Sequence, residues 1–131
     1  MDIQDAVGAL NNTDTAIVTT TELVCVTSPL ARTRRNSGIV LIAAYANVAT
    51  GTATTHITPR IRRGTTITDT LVTDDTAVTI GAPVGSNEQF LLIAFEQLNA
   101  EQVVQYVFTV QQTAATGNGT KGAAGIFVII V

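Results

Sequence analysis

The sequence predicts an all-β fold, a jelly roll or related β-sandwich of about eight strands, and two observations carry that prediction. Threonine supplies 23 of the 131 residues. Together with valine and isoleucine it makes β-branched side chains, which suit a pleated strand better than a helix, a major share of the chain. Turn residues also interrupt short apolar or alternating segments at intervals of about 8 to 15 residues, the spacing of an antiparallel sandwich.

Helical spacing occurs once, over Asp2 to Leu10. There Ile3, Ala6, Val7 and Leu10 recur at i, i+3, i+4 and i+7 and Asn11-Asn12 supplies a stop, so a short N-terminal helix or arm is predicted. Ala16 to Thr20 and Glu22 to Thr27 read as a strand or strand pair ended by Ser28-Pro29. Leu30 to Ser37 is a polar arm or loop that carries Arg32, Arg34 and Arg35. Gly38 to Val48 is a long apolar strand, turned by Thr50-Gly51-Thr52.

Thr54 to Arg63 alternates, with Ile57, Pro59 and Ile61 on one side and His56, Thr58, Arg60 and Arg62 on the other. Pro59 has no N–H to donate, which predicts a sheet edge or a bulge. Thr66 to Val72 and Thr76 to Ile80 predict a hairpin across Thr73-Asp74-Asp75. Gly81 to Asn87 is a loop. Phe90 to Phe95 and Val103 to Gln111 predict a second hairpin through Asn99-Ala100-Glu101, with Val104, Tyr106, Phe108 and Val110 facing a core. After a loop over Thr113 to Gly122, Gly125 to Val131 is too continuously apolar for a strand wetted on one side. It belongs in the middle of a sheet or at a subunit interface.

Length and the absence of an internal repeat or linker predict one domain over residues 1–131. Charge is scarce: 13% of residues are charged against 46% hydrophobic, with a net charge of -3. A folded monomer of this mass exposes about 6,600 Å², which leaves one charged group per roughly 400 Å². A surface so neutral is expected to be partly covered by other subunits. High hydrophobicity with low net charge excludes a disordered chain, and no apolar run reaches the roughly 18 residues of a membrane-spanning helix. The acidic start Met1-Asp2-Ile3-Gln4-Asp5 does not read as a secretory signal. Cys25, the single cysteine, lies in the apolar run Leu23 to Val26 and is expected to be a buried, inert thiol.

Enzymatic constellations are missing from the pattern, and no cofactor is expected. The single histidine, His56, sits on a Thr/Arg strand with no carboxylate or cysteine nearby in sequence, so a zinc site would lack His/Cys ligands, a Ser-His-Asp triad could use only this histidine, and neither is expected. Ser28, Ser37 and Ser86 lack a nucleophile-elbow context. Gly81-Ala-Pro-Val-Gly-Ser86 lacks the Gly-Lys-Ser/Thr of a phosphate loop and reads as a plain turn. Asp69, Asp74 and Asp75 lack the glycine and closing glutamate of a calcium loop and read as a solvated turn.

The arginines are better evidence. Six of the seven basic residues fall in two triplets, Arg32/Arg34/Arg35 and Arg60/Arg62/Arg63, leaving only Lys121 elsewhere. Three readings compete: phosphate clamps on a nucleic acid, a solvated face, or pairing between subunits. Nucleic acid is disfavoured by the acidic balance and the lack of interleaved aromatics. Intersubunit pairing is favoured because a planar guanidinium makes bidentate contacts to carboxylates. Asp69, Asp74 and Asp75, or carboxylates on another protein, are the candidate partners, and these nine residues are the interface candidates.

The C-terminal half resembles phage and virus structural proteins of the jelly-roll type. The residues concerned are the Thr/Arg-rich strand Ile57 to Thr66, the Tyr-x-Phe-Thr-Val-Gln-Gln pattern within Val103 to Gln112, the loop Gly117-Asn-Gly-Thr120 and the terminal apolar strand, over roughly Ile39 to Val131. The resemblance is to trimeric capsid decoration, or cement, proteins whose shape is related to the tumour-necrosis-factor fold. It implies a homotrimer that clamps neighbouring major capsid protein subunits in a virion assembled in a host cytoplasm, with Met1 to about Asn12 as an arm reaching a neighbour. No membrane partner is expected, since no apolar run is long enough to span a bilayer. The alternative is a tail- or fibre-tip jelly roll that binds a carbohydrate or host receptor.

Overall fold

The computed structural model describes residues 3–17, 21–34, 36–50, 55–73, 78–80, 86–113 and 119–131. It is all-β, with strands β1 (Asp5–Asn11), β2 (Thr15–Ala16), β3 (Leu23–Thr27), β4 (Ala31–Arg32), β5 (Gly38–Ala49), β6 (Thr55–Arg63), β7 (Thr70–Leu71), β8 (Val78–Ile80), β9 (Asn87–Leu98), β10 (Val103–Val104), β11 (Tyr106–Gln112) and β12 (Thr120–Ile130). The first sheet runs β1-β12-β5-β9, with β2 continuing β1 along the same edge of β12. The second runs β3-β11-β6, and β7 and β8 follow one another along the outer edge of β6. Among the described residues, counting each interrupted edge as one row gives the expected eight, four to a sheet, in a jelly-roll sandwich; β4 and β10 form a separate pair.

Strict alternation builds the core. On β5, Val40, Ile42, Ala44, Ala46 and Val48 are fully buried, and Ile126, Val128 and Ile130 of β12 meet them from the adjacent row. Ile57, Ile61, Tyr106, Phe108 and Val110 supply the facing layer from the second sheet. Each of these valines, isoleucines and phenylalanines stabilises the fold by about 1.5–3 kcal/mol relative to exposure. Cys25 is buried in this layer as expected, and burial pushes its thiol up to about 12, so it stays protonated. The apolar C-terminal strand β12 lies in the middle of its sheet, between β1 and β5.

Several expectations fail, each for an identifiable reason. The N-terminal segment is neither helix nor free arm: β1 pairs over seven positions with β12, from Asp5↔Ile130 to Asn11↔Ala124. Its residues also satisfy a period of two, with Val7 and Ala9 inward and Ala6, Gly8 and Leu10 outward. Tertiary pairing to an open strand edge decides between the periods, and Gly8 weakens a helix.

The predicted hairpin across Thr73-Asp74-Asp75 does not form, because β7 and β8 both pair with β6. The reversal lies instead at Gly64 to Asp69, where Gly64 adopts φ 136° and the Asp69 carboxylate accepts the Thr65 and Thr66 amides, both at 2.8 Å. The predicted hairpin of β9 with β11 is a crossing between sheets: β9 pairs with β5, and β11 with β3 and β6. Pro59 lies between the β8 pairing, which reaches Ile57, and the β7 pairing, which begins at Arg62; a missing donor is tolerated there.

Candidate functional site

The outward faces of the two sheets differ, and both bear on function. On the second sheet, Glu22 precedes β3 and reaches across β11 to β6. Its carboxylate takes Arg60 Nη1 at 2.7 Å, Arg62 Nε at 2.8 Å and Arg62 Nη2 at 2.9 Å, with the Glu22 side chain only 7% exposed. Arg60 also donates to Gln111 Oε1 at 2.8 Å, and Arg62 to the Asp69 carbonyl at 2.9 Å. Burial alone raises the Glu22 carboxyl, but the hydrogen bonds from Arg62 and the charges of Arg62 and Arg60 outweigh it, holding the carboxyl below its ordinary value.

Beside this cluster, Arg63 donates to both oxygens of Glu96, at 3.0 and 2.6 Å, and the Tyr106 hydroxyl donates to Glu96 Oε2 at 2.6 Å. Glu96 keeps the Arg63 guanidinium firmly charged, while burial and then Glu96 push the Tyr106 phenol up. The second arginine triplet is therefore engaged inside the chain.

Asp69 does not pair with an arginine through its carboxylate, which holds the Gly64–Asp69 turn, and Asp74 and Asp75 lie outside the described residues, as does Arg35. Arg32 and Arg34 are exposed at the end of the sandwich. Lys121 is buried and donates to the Asn11 carbonyl at 3.4 Å. His56 lies on β6, with its carbonyl accepting the Thr113 amide. Among the described residues no group of His, Cys, Asp and Glu is placed to hold a metal ion.

Sequence reasoning missed Glu22 and Glu96. Glu96 carried a signal: in β9 it falls on the inward parity of Phe90, Leu92, Ala94 and Leu98, where a carboxylate needs a partner. Glu22 carried none, since its partners lie about forty positions away on another strand.

The outward face of the first sheet is apolar. Register places Leu91, Tyr45, Gly125 and Leu10 in one row across the four strands, Ile93, Ala43, Phe127 and Gly8 in the next, and Phe95, Leu41, Ile129 and Ala6 in a third. Two glycines let rings lie down on this surface. A Cβ on Gly8 would meet Phe127 Cδ1 at 2.9 Å, and one on Gly125 would overlap the Tyr45 ring. Gln89 and Asn47 bound the patch at one end and Gln97 and Gln4 at the other, and no charged residue interrupts it. Along the free edge of β9 the patch borders a groove of about 570 Å³ whose far wall includes Pro59, Val72 and Val78.

No protein-family model matches the chain, and no curated protein matches it. Among solved structures, the chain is similar to the tumour necrosis factor Eiger of S. frugiperda, with TM-score 0.55 and 10% identity over 96% of this chain and 91% of that one. A structure of infectious bursal disease virus, Gx strain, aligns at TM-score 0.47 and 9% identity over 98% of this chain and 34% of that one, too loosely to support any argument. At such identities the likeness concerns fold alone: the chain is a jelly-roll sandwich of the shape found in Eiger.

Proposed function

We propose that the chain is a non-enzymatic structural protein of a virion, a decoration or cement protein that assembles as a homotrimer and clamps neighbouring major capsid subunits, with assembly in the host cytoplasm. The observation that carries this reading is the uncharged apolar face of the first sheet. Leu10, Ile39, Leu91, Ile93, Phe95 and Phe127 each expose between 49% and 68% of their surface. Together they present on the order of 600 Å² of apolar area, at the upper end for a monomer and approaching the ~800 Å² per partner of a stable interface. Copies of the chain meeting through this face would bury it, and a closed ring leaves no copy of the patch open. Binding an assembled shell better than free subunits then shifts the balance toward assembly.

The native mass in solution tests the reading. Three chains of 13.7 kDa give about 41 kDa, and the particle should co-sediment with assembled shells. A particle of one chain that does not sediment with shells overturns it. The β9 groove, with Phe95 at its rim, favours a second reading as a tail- or fibre-tip module for a carbohydrate or receptor. A glycan array without hits removes that reading.

A further inference from the structure

Arg32 and Arg34 stand apart from the other described arginines. Arg60, Arg62 and Arg63 are in ion pairs, whereas no carboxylate of the described residues pairs with either Arg32 or Arg34. Arg32 engages through its backbone, whose amide donates to Asp5 Oδ2 at 2.9 Å, and its guanidinium makes no hydrogen bond to the described residues. The Arg34 amide donates to Gln4 Oε1 at 2.9 Å and its Nε to the Gln4 carbonyl at 3.2 Å, and neither terminal nitrogen bonds to another of the described residues.

The backbone beneath them is fixed. Arg32 pairs with Val103 in the β4–β10 ladder, the Thr33 amide donates to the Gln102 carbonyl at 2.9 Å, and the Arg34 carbonyl accepts the Glu101 amide at 2.8 Å. Two guanidinium groups are thus carried two residues apart on a rigid, extended segment. They line a recess of about 310 Å³ with Thr33, Glu101 and Val103, the last an exposed apolar side chain.

We infer that this recess docks an extended acidic segment of a partner protein, with carboxylates at positions i and i+2. Guanidinium forks favour bidentate contact with carboxylates. Positions two apart in an extended chain lie roughly 6.6 Å apart on one side, so an extended partner matches Arg32 and Arg34 one for one. Glu101 on the rim and Asp5 under the Arg32 amide offset two of the triplet's three positive charges, in a chain whose net charge is -3. The site therefore has little long-range field to gather a polyanion and acts at contact range, which favours a short acidic peptide over a nucleic acid. The inference deepens the assembly reading, by naming the chemistry of the shell partner, and rests on it only for the setting.

The test titrates the full chain with the capped pentapeptide Gly-Glu-Thr-Glu-Gly. Readouts are the NMR signals of the Arg32 and Arg34 Nε–H groups and the Glu101 and Val103 amides, with Gly-Gln-Thr-Gln-Gly, inorganic phosphate and a ten-nucleotide oligothymidylate as comparison arms. The glutamate peptide should give saturable shifts at these four residues and bind more tightly than any other arm. Arg32→Gln combined with Arg34→Gln should weaken it about tenfold or more while the native mass is unchanged. No saturable shift, equal or tighter binding of phosphate or oligonucleotide, or full binding by the double variant overturns the inference. A single-chain mass with intact peptide binding removes the assembly reading and leaves the docking site standing; a trimer mass without peptide binding does the reverse.

Discussion

The two outward faces of the sandwich solve the same problem in opposite ways. A sheet with one face on a core must do something with the other, and the second sheet finishes its own: Glu22 straps Arg60 and Arg62 down over β11, while Arg63, on the core-facing side of β6, closes on the inward Glu96 between the sheets. The first sheet presents rows of leucine, isoleucine, phenylalanine and alanine instead, with rings laid over Gly8 and Gly125. Polar self-satisfaction makes a surface that water accepts. An uncharged apolar surface of similar extent is completed only by another molecule.

The contrast breaks most sharply by charging the apolar face. Ile93→Arg with Phe95→Arg alters two side chains already more than half exposed, so the fold should tolerate it, while analytical ultracentrifugation should show the particle falling to single chains, a loss of association of at least about 100-fold. An unchanged trimer would place the interface elsewhere.

Breaking the self-satisfied face should cost stability instead. Glu22→Ala leaves Arg60 and Arg62 with little exposure and without their shared carboxylate, and chemical denaturation should show a loss of about 2 kcal/mol, modest for a buried pair because Gln111 and the Asp69 carbonyl still accept. Association should be nearly unaffected.

Acid probes the same strap. The Glu22 carboxyl lies below its ordinary value near 4.5 in the folded chain, so its contribution is fully present above that pH and is lost as pH falls through the folded value. Glu22→Gln should flatten the stability profile below about pH 4.5; a parallel profile would locate acid sensitivity in other carboxylates.

Smaller effects sharpen the picture. Gly125→Ala forces the Tyr45 ring off its seat and should cost about 1 kcal/mol in thermal unfolding, with weaker association, whereas the same change at Gly122, where a Cβ meets nothing closer than 3.7 Å, should leave association intact. Least of all, the native chain should resist iodoacetamide at Cys25, whose buried thiol stays protonated, and rapid labelling would contradict that burial.

Much of the fold was legible because alternation and turn chemistry are local. Val40 to Val48 and Val104 to Val110 announce their inward faces from neighbouring residues alone, and the continuous apolar run of β12 announces a strand in the middle of a sheet. The N-terminal strand was not legible, since Ile3 to Leu10 fits both periods and only the edge of β12 chooses. Neither hairpin prediction could succeed, because adjacency in sequence does not say whether a chain turns back within a sheet or crosses to the other one.

The candidate site divides in the same way. Composition by itself determined that this is a β protein with too little charge to cover its surface, and that its positive charge is gathered in two triplets. Only the tertiary structure decided that one triplet is neutralised by Glu22 and Glu96 while Arg32 and Arg34 remain open, and that the apolar residues of β1, β12, β5 and β9 merge into one face. Strand preference and charge count are properties of single residues and near neighbours. Ion-pair partners and contiguous patches are set by strand order and register, which bring together residues tens of positions apart.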